Sequence, residues 1–260
     1  MLVAERHQKI VELVNERLSI RVSELSKLFS VTEETIRRDL EKLEKENKLK
    51  RSHGGAVSVQ EESETDVSER EITNMAEKRA IAYEAAKHIT SGERIILDAS
   101  TTAWYLAKAL PDMPLTVITN SIKVAVELSK KEKIQVISTG GMLLPKSLSY
   151  AGPLAERSLA AYHVDKAFLS CKGFHLDSGL SDSNEWQALL KKCMIDSADQ
   201  TIVMVDSSKF GVRTFVQTAQ ISDITHIITD SCVENTTKQI LEEKGIKLTT
   251  VQPKTEAFSL

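Results

Sequence analysis

Hydrophobic positions along this chain keep a helical period at first, then switch to short apolar runs separated by helical stretches. Residues 4–17 place Ile10, Leu13 and Val14 on one face, and residues 23–29 gather Leu25, Leu28 and Phe29 behind a serine cap. Ile36, Leu40 and Leu43 then fall at i, i+4 and i+7, which makes a third buried stripe. Ser30-Val31 is too short a joint for anything but a sharp turn, so residues of about 20–39 read as a helix-turn-helix propped by the first helix. Between residues 49 and 59 the helical period stops, and Gly54-Gly55 marks the turn of a two-stranded wing.

The next stretch, QEESETDVSERE at residues 60–71, is acidic, has no helical stripe and reads as a linker. Beyond residue 75, helices at 77–89, 102–110, 122–128, 155–161, 184–196 and 236–243 alternate with apolar runs at 94–97, 115–119, 134–138, 166–170, 201–205, 224–229 and 247–251. Runs such as RIIL and TIVMV are nearly all apolar, as strands buried on both faces must be. This βαβ alternation predicts an α/β unit with a mostly parallel sheet. The expected organisation is therefore a head at 1–59, an acidic linker at 60–74 and an α/β body at 75–260.

Composition narrows the classes. At 260 residues the chain suits two domains, and 41% apolar content is enough for a sizeable core in the larger one. The net charge of −3 by itself argues against a nucleic-acid binder, yet it is unevenly placed. Residues 1–59 carry 12 Lys and Arg against 10 Asp and Glu, which leaves 22 against 27 for the remainder, a basic head on an acidic body. Three separated cysteines, Cys171, Cys193 and Cys232, support neither a disulfide framework nor a zinc site, so no metal and no cofactor are expected. The charged, amphipathic start and the lack of a long apolar run point to a cytoplasmic chain with no membrane partner.

At about 100° per residue, Arg38, Lys42 and Lys45 lie away from the stripe of the third helix and Arg37 sits on its flank. Thr32 is placed to cap that helix, and Glu33 and Glu34 suit its positive end. An outward pair of arginines on a short propped helix fits the major groove; the competing reading is a solvated face paired with Glu34 and Glu41. Lys50, Arg51 and His53 in the wing are placed to meet phosphate or the minor groove, although His53 is equally an ordinary turn residue.

Arg6 with Ile10, the run Thr32-Glu33-Glu34-Thr35-Ile36-Arg37-Arg38-Asp39-Leu40, and Arg51-Ser52-His53-Gly54-Gly55-Ala56 together resemble the head of the DeoR family of bacterial transcriptional regulators. That resemblance implies a winged helix-turn-helix, operator double-stranded DNA as partner, and contacts from Thr32, Thr35, Arg37, Arg38, Lys42, Lys50, Arg51 and His53. A homodimer or homotetramer is expected, because one short helix reads too few base pairs for specificity.

In parallel sheets, ligands sit beyond the carboxyl ends of the strands. Several polar stretches fall there: Asp98-Ala99-Ser100-Thr101-Thr102, Thr119-Asn120-Ser121, Thr139-Gly140-Gly141, the GLSDSNE run ending in Asn184-Glu185, and Asp206-Ser207-Ser208-Lys209. Each alone is an ordinary cap or loop; together they describe a hydroxyl-rich cleft suited to a phosphorylated polyol. Here the body resembles the DeoR-type sensor domain, a Rossmann-like α/β unit related to the sugar-phosphate isomerase and deaminase fold. The loop at Asp98 matches that family's phosphate loop and Asp206 to Lys209 its lysine-bearing strand end, although Ala99-Ser100 stands where a glycine is frequent. The implied effector is a phosphorylated sugar, with Asp98, Ser100, Thr101, Thr102, Asn120, Ser121, Gly140, Gly141, Lys172, Asn184, Glu185 and Lys209 around it.

The alternative is a sugar-phosphate isomerase or deaminase with an appended DNA-binding head. Aldose–ketose isomerisation needs a carboxylate base, and Ser170-Cys171-Lys172-Gly173 holds no acid where related isomerases carry paired aspartates. Glu185 is the one candidate base there, with Lys172 or Lys209 to polarise a carbonyl; the plainer reading is that it caps its helix or bonds a hydroxyl. Cys171 lacks a histidine partner and reads as a small buried side chain, while Trp186 is a candidate for the cleft rim. The expectation is a non-enzymatic repressor of a carbohydrate catabolic operon.

Overall fold

The computed structural model describes residues 3–17, 19–46, 48–52, 54–58 and 65–253. They form two compact units, 1–63 and 64–260. In the first, α1 (Val3–Arg17), α2 (Val22–Phe29) and α3 (Glu33–Lys45) pack with β1 (Ser19–Arg21), β2 (Leu49–Ser52) and β3 (Gly55–Ser58). The wing is three-stranded, in the antiparallel order β1-β3-β2, because Ser19 to Arg21 pairs with the far strand of the expected hairpin. Ile10, Val14, Leu25, Ile36, Leu40, Leu43 and Leu49 build its core. Leu28, expected inside, is 52% exposed, whereas Phe29 is partly buried. The joint between α2 and α3 turns at Ser30, whose φ of 52° is the left-handed conformation a sharp reversal requires.

The second unit opens with α4 (Val67–Ile72) and α5 (Met75–Ala86). The expected linker thus holds a helix, and the second unit begins before residue 75. The chain continues through β4 (Arg94–Leu97), α6 (Thr101–Ala109), β5 (Leu115–Thr119), α7 (Ile122–Leu128) and β6 (Ile134–Ser138). A hairpin of β7 (Met142–Leu144) and β8 (Ser149–Ala151) precedes α8 (Pro153–Leu159) and β9 (Val164–Leu169). Then come β10 (Gly173–His175), β11 (Gly179–Asp182), α9 (Glu185–Asp196), β12 (Ala198–Met204), β13 (Val216–Ala219), β14 (His226–Asp230), α10 (Asn235–Glu243) and β15 (Lys247–Val251).

Seven of these strands make one parallel sheet in the order β15-β14-β12-β9-β4-β5-β6. Side chains alternate between its faces: Ile96, Leu169, Val203 and Ile227 enter one core, and Ile95, Leu97, Phe168, Ile202, Met204 and Ile228 the other. Both faces are covered, which is why the strands are apolar throughout. The chain leaves β4 outward to β5 and β6, then returns to place β9 on the other side of β4. Strand order therefore reverses between β4 and β9, where a crevice opens at the carboxyl ends.

Candidate functional site

Two surfaces, one in each unit, gather most of the expected site residues. On α3, Ile36, Leu40 and Leu43 share their buried stripe with Asp39, a carboxylate only 6% exposed. Arg6 donates to both of its oxygens, Nε to Oδ2 at 2.7 Å and Nη2 to Oδ1 at 3.1 Å, and His7 Nε2 lies 2.9 Å from Oδ1. Burial alone raises the carboxyl pKa, but the hydrogen bonds of Arg6 and His7 outweigh it and hold Asp39 below the usual range. This buried triad ties α1 to α3 and fixes the roll of α3, so the opposite face points outward.

That face presents Arg37, Arg38 and Lys42, all exposed. Arg37 pairs with Glu33 at 3.2 Å, Arg38 with Glu34 at 3.3 Å, and Lys45 with Glu41 at 2.9 Å. Exposed i,i+4 pairs are worth about 0.3–0.5 kcal/mol each, so they hold these side chains only loosely. Thr32 caps α3 by accepting the Thr35 N–H at 3.2 Å, and the two hydroxyls lie 2.9 Å apart. On β2, Arg51 is exposed and its N–H donates to the Glu44 carboxylate at 2.8 Å, which anchors the wing to α3. Lys50 is on the same strand, and His53 lies outside the described residues.

In the second unit, a cleft of about 300 Å³ opens beyond β4, β9 and β12. Among the expected residues, Ser100, Thr101, Thr102, Lys172, Asn184 and Lys209 line it. Asp98 lies fully buried beneath, accepting N–H bonds from Ser100 at 3.1 Å and Ser170 at 3.0 Å, so it shapes the loop. Ser100 and Asn184 also cap α6 and α9, through the Ala103 and Gln187 N–H groups.

The structure does not bring Asn120, Ser121, Gly140, Gly141 or Glu185 to this cleft. Asn120 donates to the Tyr150 carbonyl at 2.9 Å, and Ser121 accepts the Val124 N–H at 3.2 Å as the cap of α7. Gly140 (φ 61°) and Gly141 (φ 115°) make the turn into β7, and a Cβ on Gly141 would sit 2.7 Å from the Ala151 carbonyl oxygen. These loops follow β5 and β6, and the polar groups after β5 are taken up by the β7–β8 hairpin and the start of α7. Glu185 is the exposed first residue of α9, and Trp186 beside it is 40% exposed.

Sequence reasoning missed Arg70, Lys78 and Lys191, all lining the cleft. Arg70 Nε and Nη2 are buried without a hydrogen-bond partner. Lys78 Nζ donates to the carbonyls of Arg70 at 2.6 Å and Thr73 at 2.7 Å. Burial lowers its pKa to about 8; Asp206 opposes the shift, and Lys209, Arg70 and Lys172 add to it by repulsion. Lys191 Nζ donates to the Ser170 carbonyl at 2.6 Å and to Asp182 at 2.8 Å, and lies 3.5 Å from Asp98. Burial works against its charge, but Asp182 and Asp98 prevail and its pKa is raised.

Three acidic residues also line the cleft: Asp182 is engaged by Lys191, Asp206 by Asn74 Nδ2 at 2.9 Å and by Ser208, and Glu69 lies on α4. Burial, then Asp182, pushes the Cys171 thiol up, away from its thiolate form. A larger hollow of about 410 Å³ next to Asp206 is lined by Glu77 and Glu234 with no lysine or arginine, the wrong sign for an anion. Among the described residues no group of His, Cys, Asp or Glu is arranged to hold a metal ion, and no helix is long and apolar enough to cross a membrane.

A winged helix-turn-helix with outward cations, followed in the same chain by an α/β unit with an anion-seeking cleft, defines a ligand-responsive DNA-binding regulator. Two family models match: the DeoR-like helix-turn-helix domain over residues 6–62 and the DeoR C terminal sensor domain over residues 73–231. The chain is 69% identical over 252 residues to the HTH-type transcriptional regulator YulB of Bacillus subtilis (strain 168), covering 96% of this chain and 98% of that one. It is 37% identical to the L-fucose operon activator of Escherichia coli (strain K12), over 87% of this chain and 95% of the relative. With the putative aga operon transcriptional repressor of Escherichia coli O157:H7 the identity is 33%, over 94% and 93%. This chain belongs to the DeoR family of transcriptional regulators. Among solved structures, ribose 5-phosphate isomerase A from Methanocaldococcus jannaschii overlaps 53% of this chain and 55% of its own at a TM-score of 0.40 and 20% identity, too distant to bear on activity.

Proposed function

We propose that this regulator represses a carbohydrate catabolic operon and that a phosphorylated sugar in the α/β cleft sets its operator affinity. The observation that carries this reading is the convergence of Arg70, Lys78, Lys172 and Lys209 on one cleft lined by Ser100, Thr101 and Thr102. A phosphoester in such a cleft supplies oxygens for both the cations and the hydroxyls. Two of the relatives are named for the fucose and aga operons, one as activator and one as repressor. A homodimer or homotetramer in the cytoplasm presents two copies of α3 to successive half-sites, with Thr32, Thr35, Arg37, Arg38, Lys42, Lys50, Arg51 and His53 as the DNA contacts.

Binding occurs without turnover: Asp98, Asp182 and Asp206 are each held by neighbouring donors, which leaves none of them as a base at a substrate carbon. The coupling expected between the sites is about 1–3 kcal/mol. Operator duplex selected from a random pool by the full-length protein is titrated with and without pentose and hexose phosphates. Operator affinity that is unchanged across the whole panel rejects the effector role. Proton exchange between those sugars and solvent, catalysed by the protein, would restore the isomerase reading.

A further inference from the structure

Helix α9 has two unlike faces. Gln187 and Lys191 are buried and line the cleft, whereas Glu185, Trp186, Leu189 and Lys192 are exposed on the other side. Trp186 and Leu189 lie one turn apart, so two large apolar groups neighbour each other in solvent. They have company. A Cβ on Gly152 would lie 3.9 Å from Met142 Cβ and 4.0 Å from Trp186 Cε3, so Met142 of β7 and the Trp186 ring flank the same glycine. Leu154 follows two residues later on α8, which packs on α9. Met142, Leu154, Trp186 and Leu189 are between 40 and 63% exposed, and none of them lines the cleft. Single apolar side chains on a surface need no explanation; adjoining ones with charges at the margin mark an interaction surface.

The charges at the margin say what covers it. Glu185 and Lys192 are seven residues apart, two turns or about 10.5 Å along the axis, with a rotation of only about 20° between them. They stand in one row with Leu189 between them, and neither has an ion-pair partner among the described residues. A row that is acidic at one end, apolar in the middle and basic at the other complements itself when a second copy runs antiparallel. A twofold axis near Leu189 then sets Glu185 against the partner's Lys192, Lys192 against the partner's Glu185, and leucine against leucine.

We infer that two copies of this chain join through the outer face of α9, antiparallel about a twofold axis, with Met142 and Leu154 widening the apolar centre. The inference rests on the homo-oligomer reading above and adds the surface and the pairing that build it. Apolar groups at the centre and paired charges at the rim are the usual division of labour in such an interface. The lone pairing of opposite charges fixes the antiparallel direction, since a parallel pair would set Glu185 against glutamate and Lys192 against lysine.

The test is sedimentation velocity over a dilution series of the full-length wild type, Leu189→Glu, Glu185→Lys, Lys192→Glu and the double reversal. Leu189→Glu brings two carboxylates together at the axis and is expected to raise the Kd of the association step by about thirtyfold or more. Each single reversal sets like charges against each other twice per dimer and is expected to raise it by about tenfold or more. Mixing the two single reversals in equal amounts restores association, because the substituted side chains then face each other with opposite charge. The double reversal restores it within one chain. All three positions are exposed, so circular dichroism of every variant is expected to match the wild type.

Association left intact by Leu189→Glu overturns the proposal while the homo-oligomer reading stands. So do single reversals that change nothing, or that fail to recover on mixing. A wild type that is monomeric at every concentration, with and without operator, ends both.

Discussion

Replacing Asp39 with leucine probes what orients the DNA-binding helix. The substitution leaves the Arg6 guanidinium, formerly 2.7 and 3.1 Å from two carboxylate oxygens, facing an apolar side chain inside the head. Removing one partner of a buried pair costs about 3–5 kcal/mol. A 63-residue unit has a total stability of only about 3–9 kcal/mol, so most of its margin disappears. Amide exchange at Leu40 and Leu43 in the full-length protein reports global opening of the head and should accelerate by about two to four orders of magnitude. Operator binding should fall in parallel, with ligand binding by the body unchanged. Arg6→Met combined with Asp39→Leu removes both charges and should regain most of the loss. Because the folded-state pKa of Asp39 lies below its ordinary 3.8, the triad stabilises the head fully above that value. The contribution fades as pH drops through the lower folded-state value. A single-variant effect under about 1 kcal/mol, or a double variant no better than the single, would refute a stabilising triad.

Further outcomes follow from the same geometry. Arg38→Ala should cost about 1–3 kcal/mol in operator binding and relax base preference, whereas Arg51→Ala should weaken all sequences alike and reduce the salt slope by about one, as gel shifts over a salt series will show. Lys78 titrates at about 8, so affinity for a phosphoester should decline as pH rises through that value; binding near it should take up protons, seen as a buffer-dependent heat, and Lys78→Arg should flatten the profile. Gly179→Ala should destabilise the body by about 2–4 kcal/mol in urea melts, since φ is +72° and a Cβ would overlap the Ala219 carbonyl oxygen. Iodoacetamide should alkylate exposed Cys232 and spare buried Cys171, as peptide mapping of the folded protein will report.

The long-range plan was legible in the sequence because each main strand is an apolar run and each main helix has a stripe. Short elements were not. The β7–β8 hairpin and the sheet of β10, β11 and β13 have strands of three or four residues, below the length at which a period declares itself. Helix α4 has a single buried apolar residue and depends on donors from elsewhere in the fold. The cleft was half legible: turn chemistry marks every strand end, and only topology says which ends lie at the reversal of strand order. Ser100 and Lys209 line the cleft, whereas Ser121 caps α7 and Gly141 makes the tight turn into β7. One signal did lie in the sequence. Asp39 falls in step with Ile36, Leu40 and Leu43, and Lys78 with Ile81, Ala82 and Ala85. A lone charge in register with an apolar stripe marks a buried, partnered group.

The two walls of the crevice come from distant parts of the chain, the β4 side and the β9–β12 side. Apart from the β4–β9 ladder, Asp98 is a principal tie between them, reaching Ser170 and Lys191. A guest lodged there acts as a removable cross-link between two halves of one sheet. Its imprint on a melting curve should be a steeper transition as well as a later one, since halves stapled together must come apart together.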